Sequence, residues 1–188
     1  MRLFIGLPLN STAFEELTKV TARCKPIVDG FRWTTPEAWH ITLQFLGNTS
    51  PEQLKCLAAT LREVKSPGVP VQLGGLSFFD RASALVAEVI RSPELVALQI
   101  RVVQATIPCG FVSEERLYHP HITLARSKSK PAAQARRSLG AFLQSAPPLS
   151  HFSAGELRLY ESFLGAGGPR YEVRERFLLG APSERSTR

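Results

Sequence analysis

The tetrapeptide His-Ile-Thr-Leu occurs twice in this chain, at residues 40–43 and 121–124. Each copy lies in a run that alternates polar and apolar residues. That is the pattern of a half-buried strand, in which positions i and i+2 share a face. One copy therefore presents His40 beside Thr42, and the other His121 beside Thr123, with isoleucine and leucine turned the opposite way. The chain has 4 histidines, and two of them fall here. Two imidazoles and two hydroxyls suit phosphoryl transfer. An imidazole titrates near neutrality, so one can take a proton from attacking water while the other delivers one to the leaving oxygen across phosphorus. Threonine hydroxyls can donate to the non-bridging oxygens as charge develops there. A strained five-membered cyclic phosphate is already activated, so this set calls for no cofactor and no metal.

The elements that would hold these residues are read from periodicity and punctuation. A strand is expected over 2–8 and a helix over 12–25, opened by a Thr12–Glu15 capping box with Phe14 and Leu17 inward. A short strand at 30–33 and a strand at 39–46 come next, the second ended by Gly47-Asn48. Pro51 opens a helix that reaches about Val64. Segments 69–79 and 83–90 form a hairpin, Ser92-Pro93-Glu94 opens a helix to about Ala105, and a strand covers 117–125. A helix near 131–144 ends at Ala146-Pro147-Pro148. Two strands close the chain, 151–163 and 170–179, separated by the glycine-rich 165–169. Within the motif strands, Trp39, Ile41, Leu43 and Phe45 are assigned to the core. His119, His121, Thr123 and Ala125 share the other strand's polar face.

The offset that carries His40 onto His121 relates the two halves beyond the motifs. It also carries Ser11 onto Ser92, Phe14 onto Leu95, Leu17 onto Leu98, Leu76 onto Leu157 and Phe79 onto Tyr160. The expected fold is α+β, with two pseudo-symmetric lobes, each an antiparallel sheet backed by helices, facing across a central cleft. Residues 1–181 form one two-lobed domain with internal duplication, and 182–188 a polar tail.

Composition bounds the rest. The chain has 188 residues and a formal net charge of +7. No apolar run is long enough to cross a membrane, and the N-terminal segment lacks the apolar core of a signal peptide. Cys24, Cys56 and Cys109 are odd in number, scattered and without Cys-x-x-Cys spacing, which argues against disulfides and for a reducing cytoplasm. Residues 116–155 contain no Asp or Glu but include Arg116, Arg126, Lys128, Lys130, Arg136 and Arg137. Such a one-sign stretch attracts a polyanion such as RNA. Arg126, His119 and Tyr118 flank the second motif and are candidates for substrate contact. His119 and His121 also make a His-x-His pair that could hold a metal with His40 as a third ligand. The missing carboxylate and cysteine company speaks against that reading, which also leaves the threonines unexplained. Trp33 is open between base stacking and packing.

The sequence resembles the 2H phosphoesterase superfamily, defined by paired His-x-Thr-x motifs. Within it, the chain is similar to the RNA 2′,3′-cyclic phosphodiesterases, also called 2′-5′ RNA ligases. The resemblance rests on Arg2–Pro8 (RLFIGLP), on Trp33-x-x-Pro36-x-x-Trp39 running into HITLQFLG, and on HPHITLAR at 119–126. It extends over about residues 2–179. It implies that His40 is the proton donor, His121 the proton acceptor, and Thr42 and Thr123 the phosphate-binding hydroxyls. The implied reaction opens an RNA-terminal 2′,3′-cyclic phosphate to a 2′-phosphomonoester, and some members of the family also join RNA ends through a 2′-5′ linkage. A monomer acting on RNA or an oligonucleotide is expected. Two other readings remain open: a cyclic phosphate on a small nucleotide or ADP-ribose derivative as substrate, or a non-catalytic RNA-binding module.

Overall fold

The computed structural model describes the chain except residues 28–29, 114–115, 128–132, 146–148, 166–167 and 181–188. Nine strands and four α-helices are found among the described residues. In chain order they are β1 (Arg2–Pro8), α1 (Ser11–Cys24), β2 (Phe31–Trp33), β3 (His40–Asn48), α2 (Pro51–Arg62), β4 (Val69–Phe79), β5 (Ala84–Val89), α3 (Pro93–Thr106), β6 (His121–Ser127), α4 (Ala133–Ser145), β7 (His151–Ala154), β8 (Glu156–Gly165) and β9 (Gly168–Leu178). They form two antiparallel sheets, ordered β3-β1-β8-β9 and β2-β6-β5-β4-β7.

The trio β3-β1-β8 corresponds to the trio β6-β5-β4 in the second sheet. The offset between the two motifs carries β3 onto β6 and α1 onto α3. Each half sends two strands to the other sheet: β4 pairs with β5 and β2 with β6, while β8 pairs with β1 and carries β9 beside it. The chain is thereby woven into one unit rather than two separable lobes. Leucines and valines of both sheets and of α1, α2 and α3 make one core, with Leu7, Leu17, Ile41, Leu98, Ile122 and Leu157 fully buried. Apolar burial of this extent is the main term favouring the folded chain.

Several expectations are corrected. The first helix is capped by Asn10, whose side-chain oxygen accepts from the Ala13 N–H. The Thr12–Glu15 box does not form, because the helix already begins at Ser11 and the N-cap must precede it. Ser50 and Gln53 do make a reciprocal capping box, at α2. The segment 151–163 is two strands, since β7 pairs with β4 and β8 with β1. The second motif strand starts at His121, not 117, and Tyr118, His119 and Pro120 approach it as irregular chain.

Cys56 and Cys109 are joined in a disulfide, with Cα atoms 5.6 Å apart. Spacing along the sequence could not show this, because α2 packs on α3 and on the short turn after it. The cysteines therefore give no argument for a reducing compartment. Cys24 is free and buried. No helix among the described residues is long and apolar enough to cross a membrane. Lys128, Lys130, Pro147, Pro148 and the tail 182–188 lie outside the described residues.

Candidate active site

Strands β3 and β6 share one burial pattern over the motif and the two residues after it. His40, Thr42, His121 and Thr123 are half-buried, Ile41, Leu43, Ile122 and Leu124 are buried, and then the alternation slips. The slip is a β-bulge in each strand. In the β1–β3 ladder Ile5 pairs with Gln44 but Gly6 with Thr42, leaving Leu43 as the extra residue. In the β5–β6 ladder Leu85 pairs with Ala125 but Val86 with Thr123, leaving Leu124 extra. Leu43 and Leu124 are the last residues of the two His-Ile-Thr-Leu strings, so the bulges occupy equivalent positions.

A bulge inserts one residue and reverses the facing of the residues beyond it. Gln44 therefore points into the core, where its side-chain oxygen accepts from the buried Thr106 hydroxyl at 2.9 Å. Phe45, expected in the core, is 62 % exposed. Its counterpart by the same offset is Arg126, also exposed. The bulges thus add an aromatic ring beside one His/Thr pair and a guanidinium beside the other.

All four motif side chains line one cavity of about 130 Å³ between the sheets. Phe45, Arg126, Arg32, Trp33 and Tyr171 line it too. Each catalytic candidate is held the same way: His40 Nδ1 lies 2.7 Å from the Ala38 carbonyl, and His121 Nδ1 lies 2.9 Å from the His119 carbonyl. A carbonyl only accepts, so Nδ1 carries the proton in both rings. Nε2 is left free to accept a proton or, once protonated, to give one.

The close approach of His40 depends on Gly6. A Cβ at that position would lie 2.8 Å from the Ile41 carbonyl oxygen and 3.4 Å from His40 Cδ2. The Tyr118 hydroxyl donates to the Thr42 carbonyl at 3.1 Å. That bond ties the chain entering the second motif to the backbone of the first. The His119 ring is exposed and edge-on to Phe79, 5.0 Å between centroids. Among the described residues no group of three or more His, Cys, Asp and Glu is placed to hold a metal.

The surroundings of the two rings are partly symmetric. Tyr160 lies 5.6 Å from His40 and Phe79 lies 5.2 Å from His121, centroid to centroid. These two aromatics are themselves related by the offset between the motifs. His40 has two further neighbours, Phe4 at 4.5 Å and Tyr171 edge-on at 5.1 Å. Burial among these rings pushes the His40 pKa down to about 4. The bond to the Ala38 carbonyl opposes this, and the nearby His121 adds to it. Burial also lowers His121, with smaller downward contributions from His119 and Arg126. Both imidazoles are neutral at pH 7 in the free protein, since an apolar surrounding disfavours the charged form.

A fold of two linked antiparallel sheets, with a histidine and a threonine from each converging on one cleft, defines a 2H phosphoesterase. The chain belongs to the 2′-5′ RNA ligase superfamily, whose family model matches residues 15–163. A protein of Geobacillus stearothermophilus named RNA 2′,3′-cyclic phosphodiesterase is 31% identical over 97% of this chain, which spans 59% of that protein's length. The Escherichia coli protein of the same name is 26% identical over 95% of this chain and 96% of its own. The crystal structure of E. coli LigT complexed with 3′-AMP matches with a TM-score of 0.76 at 25% identity, covering 95% of this chain and 97% of that one.

Sequence reasoning missed Phe45, Arg32, Phe4 and Tyr171. Phe45 could have been found by carrying Arg126 back through the offset between the motifs. Phe4 and Tyr171 lie on strands without a partner motif and gave no signal.

Proposed function

We propose that this chain hydrolyses RNA-terminal 2′,3′-cyclic phosphate to a 2′-phosphomonoester, without a metal, by acid/base catalysis from His40 and His121. The observation that carries the reading is that both rings are fixed through Nδ1 and reach one small cavity together with Thr42 and Thr123. One Nε2 takes the proton of the attacking water. The other gives its proton to the departing ribose 3′-oxygen. The threonine hydroxyls hold the non-bridging oxygens. In the assignment implied by the resemblance, His121 is the acceptor and His40 the donor. His40 then gains its proton in the complex, where the anionic phosphate offsets the cost of burying a charged ring. With the 5′-hydroxyl of a second RNA end in place of water, the same groups would form a 2′-5′ linkage: the 5′-oxygen bonds to phosphorus, its proton passes to the acceptor histidine, and the P–O3′ bond breaks as the donor protonates the 3′-oxygen. The names of the relatives, and the 3′-AMP carried by LigT, support a nucleotide in the cleft. The matched bulges and the equivalent strand orders support an origin by internal duplication within a single catalytic domain.

The test is turnover of an oligonucleotide ending in a 2′,3′-cyclic phosphate, in EDTA. The wild-type protein is expected to be fully active, and His40→Ala and His121→Ala each to lose at least about a hundredfold in kcat. Near wild-type rates in both variants would sink the assignment.

A further inference from the structure

The catalytic cavity continues into a second one of about 320 Å³, which shares Arg32, Phe45, Arg126, Pro169 and Tyr171 with it and adds Arg2. Three arginines from three strands meet there. Arg32 and Arg126 are direct partners across the β2–β6 ladder. Like charges directly opposite one another in an antiparallel pair are destabilising. Arg2 enters from β1 and is held in place, because the Thr49 N–H donates to the Met1 carbonyl beside it at 2.8 Å.

Among the described residues no Asp or Glu lines this cavity, and no carboxylate lies within ion-pairing distance of Arg2 or Arg32. The glutamates of the neighbouring strands are engaged elsewhere, Glu161 by Arg174, Glu172 by Arg170 and Glu156 by Arg158. Tyr171 lines this cavity with Arg2 and Arg126; burial raises its phenol, and the charges of Arg126 and Arg2 oppose that rise. A cluster of mutually repelling cations at the mouth of a phosphoryl-transfer site is stabilised by an anion.

We infer that the Arg2–Arg32–Arg126 cluster is a subsite for a second phosphate, the internucleotide phosphodiester next to the cyclic end, and that it makes RNA rather than a mononucleotide the preferred substrate. This rests on the hydrolytic reading above. A planar guanidinium matches phosphate oxygens two at a time. The contact is made equally in the ground and transition states, so it lowers KM with little effect on kcat.

The experiment compares three cyclic-phosphate substrates: a mononucleotide, a dinucleotide, and that dinucleotide with a neutral methylphosphonate linkage. The dinucleotide is expected to show kcat/KM at least tenfold above the mononucleotide, through KM, and the methylphosphonate to fall back to the mononucleotide value. Raising salt should weaken the dinucleotide's advantage with a log–log slope near −0.7, the value for one phosphate contact on a single strand. Arg2→Ala, which touches only the second cavity, should remove most of the advantage, and Arg2→Lys should restore part of it. Equal turnover of mononucleotide and dinucleotide overturns the inference while leaving the hydrolytic reading intact. So does an equal fall on both substrates in Arg2→Ala. A larger gain from a small nucleotide whose second phosphate is a pyrophosphate overturns RNA as its source. Turnover of none of the substrates overturns the hydrolytic reading and this one with it.

Discussion

Acidification should destabilise this protein through His40 in a way that can be isolated. The ring is packed against Phe4, Tyr160 and Tyr171, and its pKa is pushed from 6.5 down to about 4. In the unfolded chain the ring recovers its ordinary value near 6.5. Above that pH both states are neutral at this site, and the ring contributes no pH dependence. As pH falls below 6.5, the unfolded chain takes up a proton that the native ring refuses. Native stability then drops by about 1.4 kcal/mol for each pH unit, until the native ring also protonates near pH 4. The full loss is about 3 kcal/mol, a large share of the 5–15 kcal/mol typical of a whole domain. The assay is urea unfolding of the wild type and of His40→Gln at several pH values from 7.5 to 4. Other groups titrate in both proteins, so the difference between the two curves reports His40. The wild type should lose about 3 kcal/mol more than the variant over this range. Parallel curves, or a wild type that gains on the variant as pH falls, would refute the argument that burial governs this ring.

Three further outcomes rest on the same geometry. The free-enzyme profile, kcat/KM against pH, should peak below pH 6.5 and fall above it, because one ring must be protonated and burial lowers both; a plateau extending above pH 8 would contradict this. Gly6→Ala sets a methyl group 2.8 Å from the Ile41 carbonyl, so β1 and β3 must part locally; activity should fall about 10–100-fold and stability by about 1–3 kcal/mol, read by cyclic-phosphate turnover and by urea unfolding. Tyr118→Phe removes the donor to the Thr42 carbonyl; kcat should drop several-fold with KM nearly unchanged if that bond positions the threonine, whereas a rise in KM alone would make Tyr118 a substrate contact.

The legible part of this molecule was whatever repeats locally. Alternation marked both motif strands, and Pro51 and Ser92-Pro93 marked helix starts that the structure contains. The register between the two motifs carried Phe79 onto Tyr160 before either ring was known to flank a histidine. Strict alternation failed one residue past each His-Ile-Thr-Leu string. It assumes that strand pairing is uninterrupted, and a bulge is a property of two strands in register, not of one strand's sequence. Phe45 was therefore misassigned to the core, and Gln44 was not seen as buried. The Cys56–Cys109 disulfide and the Arg2–Arg32–Arg126 cluster escaped for a related reason. Each joins residues that are remote in sequence and become neighbours only when helices or sheets assemble.

The matched geometry of the two motifs sharpens the question of which histidine does what. A carbonyl two residues upstream fixes each ring, the same bulge lies just past each threonine, and one aromatic at an equivalent position flanks each imidazole. None of these shared features can tell an acid from a base. The division of labour must come from groups outside the correspondence. Phe4 and Tyr171 crowd His40 and have no equivalent ring on His121 among the described residues; the offset from Phe4 falls on the aliphatic Leu85. Arg126 stands beside His121, where the first strand carries Phe45 instead. A cation beside His121 disfavours its protonated form and so keeps that ring neutral in the free protein, the state from which an acceptor starts. Aromatic burial makes His40 reluctant to hold a proton until an anion arrives. A donor protonated only in the substrate complex keeps the free site neutral and gives up its proton readily once the leaving oxygen needs it. In the proposed reaction, the asymmetry available to separate the two roles resides in Phe4, Tyr171 and Arg126, residues that neither His-x-Thr motif contains.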